Sequence, residues 1–461
     1  MKRQAESQDV AGSPNQRKVG RKSAPKLKVL CYSCPLMGHV TPTLSLASAL
    51  AKKGHEVIFV SSQGLAGKVA ESCRRSGYMF RGLADAMTAE ELRTIHPAEG
   101  PVFMDFTEKH GPLLAQMIKV EMKIEKYHSS GPSPRLKSPQ NWKPDVVVAD
   151  FASGAGLLQA KEMQLPLVIN VPMPASLLRR VLLADNPLLN YIVSNWIQVG
   201  DKHAIQYLGQ VAVPALKTAP SIVNSSSALD GRISLPPNFL ISGPLDGFAA
   251  KPLLPSRHAD ILQFVKTAKS QAKPLFYITT GSLMDLSKEQ VLALYEGFAS
   301  CDVRVLWSLK DTKRDFLPKP LSADFLIAAW MPQVEILSLQ ELTAVLTHCG
   351  WGGSLECMMA AKPVICFPGF GDQQQNARIL NRKGCGPLLK PSSVTAGAVA
   401  AAVKDVLTKI QTYQGNARRI SDDLRQSPGP EAAVELVEKA VEDGSASSTS
   451  SEAASSRCVV S

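Results

Sequence analysis

Apolar and polar positions along this chain fall into short blocks that repeat in a fixed order. Residues 27–33 are a brief apolar run, followed by a polar, glycine-containing loop at 34–41. Thr41 and Pro42 then read as a helix start, threonine as cap and proline at the first position, and the helix stops at Gly54. A second apolar run follows at 55–60. Strand, loop, helix and strand in this order imply a parallel sheet with a right-handed crossover. The alternation continues to the runs 145–150 and 165–170. A second set opens at 274–280 and passes through 303–307, 325–330, 342–348 and 363–368. A helix from about Gln374 ends at Gly384, and an amphipathic helix over 431–441 closes the pattern.

Between the two sets, residues 235–258 hold five prolines (Pro236, Pro237, Pro244, Pro252 and Pro255), a composition suited to a connection between domains. With 461 residues the chain is long enough for two α/β domains with sizeable cores. The expected organisation is a disordered arm at 1–25, a Rossmann-like domain at 26–240, a linker at 241–258 and a second Rossmann-like domain at 259–428. A terminal helix at 429–442 and a disordered Ser-rich tail at 443–461 complete it. Two doubly wound halves place a ligand in the cleft between them, at the carboxyl ends of both sheets.

Composition narrows the class. Hydrophobic residues make up 45% and charged residues 20%, ordinary values for a soluble globular protein. No run approaches the ~18 apolar residues of a membrane span, and the polar N-terminus has no signal-peptide core, so cytosolic residence is expected. Nine scattered cysteines fit a reducing compartment. Cys31 and Cys34 have a Cys-x-x-Cys spacing, but they adjoin an apolar strand with no second pair, which makes them core thiols. The net charge of +11 is concentrated at the start: residues 1–28 carry eight Lys/Arg against Glu6 and Asp9, a net of +6. The arm has no aromatics for base stacking and no recognition module follows it, which argues against nucleic-acid binding. A solvated tail or a membrane-surface patch suits it better.

The chemistry concentrates in the 44 residues from Trp330 to Gln373. Trp330, ending an apolar strand, offers a flat face to a nucleobase, and Gln333 an amide to its edge. The run 342–348 ends in His348. Gly350, Trp351, Gly352, Gly353 and Ser354 follow, and then a helix from about Ser354 to Ala361. Strand, glycine turn and helix start together bind a diphosphate, because free backbone N–H groups and the positive helix end face the anion. His348 can donate to the same phosphates, and Glu356 can accept from ribose hydroxyls. Asp372 and Gln373, after the 363–368 strand, suit the hydroxyls of a sugar.

This block, with Trp330, Met331, Gln333, His348, Gly350, Trp351, Ser354, Glu356, Asp372 and Gln373 at their spacings, resembles the nucleotide-sugar signature of the UDP-dependent glycosyltransferases. The resemblance covers about residues 26–440, strong in the block and diffuse elsewhere. It implies an α/β GT-B fold of two Rossmann-like domains and a UDP-sugar as donor substrate, with no cofactor and no metal. The last helix of that family often crosses back to the first domain. Gln373 at the end of the block implies glucose. Gly352 and Gly353 stand where the plant version carries Asn-Ser, so side-chain contacts to the donor are lost there and backbone N–H groups remain. Leu339 replaces a frequent histidine and Ala361 a frequent glycine.

Transfer to a hydroxyl needs a base, and histidine, with an ordinary pKa of about 6.5, suits one. His39 stands after the first strand, facing the expected cleft, and the segment from Gly38 to Pro42 resembles the family's first-loop motif, whose histidine is the general base. Asp150, at the carboxyl end of the 146–149 run, falls on the same sheet edge and resembles the family's partner aspartate. A carboxylate there fixes the tautomer and stabilises the imidazolium; Asp85, Asp105 and Glu108 are other candidates. The expected reaction is a direct displacement at the anomeric carbon with inversion. The departing UDP is met by His348, the helix start and the Gly281–Ser282 turn. An apolar stretch, 177–196, is expected to contribute to the acceptor pocket in the first domain.

The chain ends Cys458-Val-Val-Ser461, which fits a C-a-a-X farnesylation signal. One lipid chain anchors marginally, and the basic arm would supply a second signal for peripheral membrane association. The main expectation is an inverting transferase moving a hexose to a hydrophobic small molecule. The alternative is a catalytically silent UDP-sugar-binding scaffold tethered to membranes.

Overall fold

The computed structural model of the protein describes residues 25–34, 36–62, 65–83, 142–183, 211–245, 252–281, 284–369 and 371–455. The arm to residue 24, Asp85, Asp105, Glu108, residues 184–196 of the apolar stretch, Ser282 and Cys458 lie outside the described residues.

Apolar runs, fully buried in the central strands and partly exposed at the edges, make the strands of two parallel sheets. The first lobe contains β1 (Lys28–Tyr32), β2 (Glu56–Ser62), β3 (Met79–Leu83), β4 (Val146–Asp150), β5 (Leu167–Val171), β6 (Ser221–Val223) and β7 (Phe239–Ile241). Their order is β3-β2-β1-β4-β5-β6-β7. The second lobe contains β8 (Leu275–Thr279), β9 (Arg304–Ser308), β10 (Phe325–Ala328), β11 (Leu342–Thr347) and β12 (Val364–Cys366), in the order β10-β9-β8-β11-β12. Each order reverses once, between β1 and β4 and between β8 and β11. At such a switch point the connecting helices leave on opposite faces of the sheet and open a crevice at the carboxyl ends of the two strands. Both crevices therefore lie where the sequence places its chemistry.

Four helices bear on the site. In α1 (Met37–Lys52) the helix begins four residues before the expected Thr41. Leu36 is the extended cap, and the N–H groups of His39 and Val40 both bond to its carbonyl at 2.8 Å. His39 thus sits in a first helical turn, not on a loop, and Pro42 lies inside the helix. In α2 (Trp351–Met359) the start is likewise earlier than the expected Ser354, with Gly350 as cap. The reason lies at Cys349, whose φ of 61° turns the chain sharply off β11. That left-handed conformation is costly for a residue with a Cβ. It is held from both sides: the Cys349 N–H donates to Thr347 Oγ1 at 3.2 Å, and Asn376 Nδ2 donates to the Cys349 carbonyl at 2.9 Å.

Asn376 belongs to α3 (Gln373–Arg382). The last helix, α4 (Gly429–Ser455), crosses back to the first lobe and buries Ala433, Val434, Val437 and Ala440 in its core. The 3.6-residue period puts these four on one face. Beside them Glu438 accepts from Lys53 Nζ at 2.7 Å and lies 3.1 Å from His55 Nε2. The helix runs to Ser455, well beyond the expected end at 442. Once a docked segment has nucleated a helix, each added residue such as Ala or Glu costs little.

Candidate active site

Asp150 ends β4 and His39 opens α1, which follows β1. Because β1 and β4 are neighbours, with Tyr32 paired to Ala149, both side chains meet at the first switch point. Asp150 is fully buried, and His39 Nδ1 lies 3.0 and 2.9 Å from its two carboxylate oxygens. The Ala152 N–H donates to Asp150 Oδ1 at 2.9 Å, so the carboxylate is itself held in place. The Thr43 hydroxyl donates to the His39 carbonyl at 2.9 Å and receives the Asn170 amide at 3.2 Å, anchoring the turn that carries the imidazole. Burial by itself would lower the pKa of His39. Attraction to the Asp150 carboxylate and to Cys34, together with the hydrogen bonds to both, outweighs it and carries the imidazole well above its ordinary value. The His39 side chain retains 22% exposure.

The second switch point carries the glycine turn. His348 follows β11 and Gly281 follows β8, two strands paired through Thr347 and Thr279. A Cβ added at Gly281 would lie 2.5 Å from His348 Nε2, and one at Gly350 would lie 2.6 Å from it. Gly281 also has a φ of 68°, so both space and backbone require glycine there. Burial holds His348 down at about 4, neutral at physiological pH, and its Nδ1 is buried with no hydrogen-bond partner. Ser354 Oγ in the first turn of α2 is buried without a partner as well. The helix start has no side-chain cap from Gly350, and a Cβ at Gly352 would meet nothing within 4 Å. An unpartnered Ser354 hydroxyl and the open space over Gly352 at a helix N-terminus form an anion cradle.

The two switch points face each other. Helices α1 and α2 are in contact across the lobes. The Trp351 indole N–H donates to the Asn224 carbonyl, at the end of β6, at 2.6 Å. Burial raises the carboxyl of Asp372, while a hydrogen bond from Asn376, attraction to His39 and the Trp351 backbone N–H act to lower it. An aspartate of the second lobe therefore lies within electrostatic reach of the imidazole of the first.

Individual block residues fall into three groups. Trp330 is 73% exposed and presents its ring to the outside. Met331 and Trp351, by contrast, have side chains buried in the second-lobe core, which leaves only their backbone for a ligand. Met331 points inward because it follows an outward Trp330 in an extended segment. Trp351 turns inward to pin the lobes together. The Gln333 amide already has partners in the protein: its oxygen accepts from the Thr279 hydroxyl at 2.9 Å and its nitrogen donates to Glu356 at 2.5 Å, which leaves one N–H and one lone pair for a base. Gln333 thus positions Glu356. Gln373 is buried, its amide oxygen accepting the Gly369 N–H at 2.8 Å, which ties it to the loop carrying Asp372. Asp372 accepts from Asn376 Nδ2 at 2.7 Å.

Sequence reasoning did not find Thr279, Asn224, Asn376 or Cys34. Asn376 was signalled only by its spacing of one helical turn from Asp372. Cys34 is not simply a core thiol: its sulfur, a His39 ring nitrogen and an Asp150 oxygen all lie within 4.8 Å of one another.

Two parallel doubly wound lobes facing each other at their carboxyl ends make this a GT-B fold. A solved anthocyanidin 3-O-glucosyltransferase in complex with UDP shares the fold with a TM-score of 0.67 and 19% identity, over 91% of this chain and all of that one. Residues 220–431 match the family described as UDP-glucoronosyl and UDP-glucosyl transferase. An anthocyanidin 3-O-glucosyltransferase of Manihot esculenta is 28% identical over 220 residues, 46% of this chain and 74% of the relative. An NDP-glycosyltransferase of Bacillus subtilis is 22% identical over 417 residues, 90% of this chain and 97% of the relative. Residues 220–431 thus carry the domain of the UDP-dependent glycosyltransferases, and the relatives that the chain matches over most of their length are enzymes of that family.

Proposed function

We propose that the enzyme moves glucose from UDP-glucose to a hydroxyl of an apolar small molecule, with inversion at the anomeric carbon. His39 Nε2 takes the acceptor's proton as its oxygen bonds to the sugar carbon, and the bond from that carbon to the diphosphate oxygen breaks. Asp150 holds the Nδ1–H and stabilises the imidazolium that results. UDP leaves with its charge facing the N–H groups of Gly352 and Gly353, the Ser354 hydroxyl and His348. These fixed donors need no reorganisation as charge develops. Trp330 stacks on the uracil, Glu356 accepts from the ribose, and Asp372 with Gln373 borders the sugar.

The observation that carries this reading is the bond of His39 Nδ1 to both Asp150 oxygens, at 2.9 and 3.0 Å, with Asp372 of the opposite lobe within electrostatic reach. The glucosyl preference rests on the names of the relatives and on Gln373. Purified enzyme offered UDP-glucose, UDP-galactose and UDP-glucuronate against flavonoid, sterol and fatty-alcohol acceptors tests it. The expected product is a β-glucoside, read by mass spectrometry and by the anomeric proton coupling. An α-linked product would overturn inversion, and preference for another donor would overturn the glucose assignment.

A further inference from the structure

The cluster at the first switch point has a third member that neither takes nor gives the transferred proton. Cys34 follows β1 and is buried, and its sulfur lies within 4.8 Å of the ligating atoms of His39 and Asp150. Among the described residues no other grouping of three such side chains brings its donor atoms this close. We propose that Cys34, His39 and Asp150 form a binding site for a soft divalent ion of the zinc class, and that its occupation switches the enzyme off.

The geometry needs only small adjustments. Zinc bonds of about 2.3 Å to sulfur and about 2.0 Å to nitrogen and oxygen set ligand-to-ligand edges of roughly 3.3 to 3.7 Å. The His39–Asp150 contact of 2.9 Å would open slightly and the thiol would close in. Sulfur, imidazole and carboxylate are the donor set that selects zinc over magnesium or calcium. The charges balance: a dication meets one thiolate and one carboxylate, so the buried group is neutral. Binding displaces the thiol proton, and the Ala152 N–H steadies the carboxylate.

The regulatory consequence rests on the assignment of His39 as base. With the ion on Nδ1, the imidazole proton moves to Nε2, and that nitrogen can no longer accept a proton from the acceptor hydroxyl. Turnover and ion binding exclude each other while the cradle in the other lobe is untouched.

The full-length enzyme, freed of metal with a chelator, is titrated with zinc chloride and, separately, cobalt chloride, beside Cys34→Ala. Wild type should lose transfer as zinc fills the site and regain it with chelator, with UDP affinity unchanged. The inhibition of Cys34→Ala, measured against its own ion-free turnover because Cys34 also bears on the pKa of His39, should need at least ~10-fold more zinc. Cobalt should give a sulfur-to-metal charge-transfer absorption in wild type that Cys34→Ala lacks. Equal zinc sensitivity of the two proteins, or a cobalt complex without that absorption, would overturn the site. Should Cys34→Ala fail to fold, the anomalous signal of zinc in a wild-type crystal decides: density away from Cys34 overturns the site. An ion bound through Cys34 that leaves transfer undiminished would keep the site, overturn the switch and remove His39 as base.

Discussion

The two sides of the cleft are built on the same topological device and differ in how their polar groups are satisfied. At the first switch point the reacting pair is fully engaged: His39 bonds Asp150, Asp150 takes the Ala152 N–H, and Thr43 takes the Asn170 amide, although the Asn170 oxygen is buried without a partner. At the second, His348 Nδ1 and Ser354 Oγ are buried and unpartnered. A buried donor without a partner costs about 1 to 3 kcal/mol. The first lobe thus keeps a reactive group in one orientation before any substrate arrives, while the second stores unmet hydrogen-bonding capacity that a diphosphate satisfies. Chemistry and binding are assigned to opposite walls.

That division can be broken by substitution, and the largest effect is expected at His39. His39→Ala should cut turnover by about 10²- to 10⁴-fold. Its UDP affinity should stay near wild type, read by calorimetry on the same preparation. Coupled loss of both would dissolve the distinction between the walls. A smaller and opposite pattern is expected from Gly281→Val. A side chain at a φ of 68° would press on His348 Nε2 from 2.5 Å. Backbone strain of about 1 to 2 kcal/mol and the displaced imidazole should weaken UDP by at least ~10-fold. The pH dependence of its residual turnover should be unaltered, because His39 is untouched. The smallest effect belongs to the pin between the walls. Trp351→Phe leaves the Asn224 carbonyl without its 2.6 Å donor. It should lower unfolding stability by about 1 to 3 kcal/mol in a denaturant titration, with transfer retained at saturating donor.

Much of this plan was legible in the sequence because the relevant signals are local. The apolar runs ending in Tyr32, Asp150, Thr279 and Thr347 mark strands whose carboxyl ends gather the chemistry, whatever the detailed packing. The glycine turn between His348 and Ser354 is equally local. What stayed hidden depends on contacts between distant segments. Trp351 looks like a ligand contact until Asn224, from the other lobe, claims its N–H. The hold of Gln333 on Glu356 and Thr279 joins three separate segments, which no local pattern signals. The early starts of α1 and α2 depend on backbone bonds and on the φ of Cys349, which propensity does not encode. The placement of Cys34 beside His39 arises from chain geometry between them, not from the Cys-x-x-Cys spacing it shares with Cys31.

The central claim is that an imidazole raised by Asp150 is the base, and the acid limb of kcat/KM against pH tests it most directly. The base works unprotonated, so activity should rise with pH through the pKa of His39, at a midpoint above the ordinary histidine value of about 6.5. In Asp150→Asn the attraction that raises this pKa is gone, so the midpoint should move to lower pH while the plateau falls. A midpoint that Asp150→Asn leaves in place would contradict the account, as would the same limb surviving in His39→Ala.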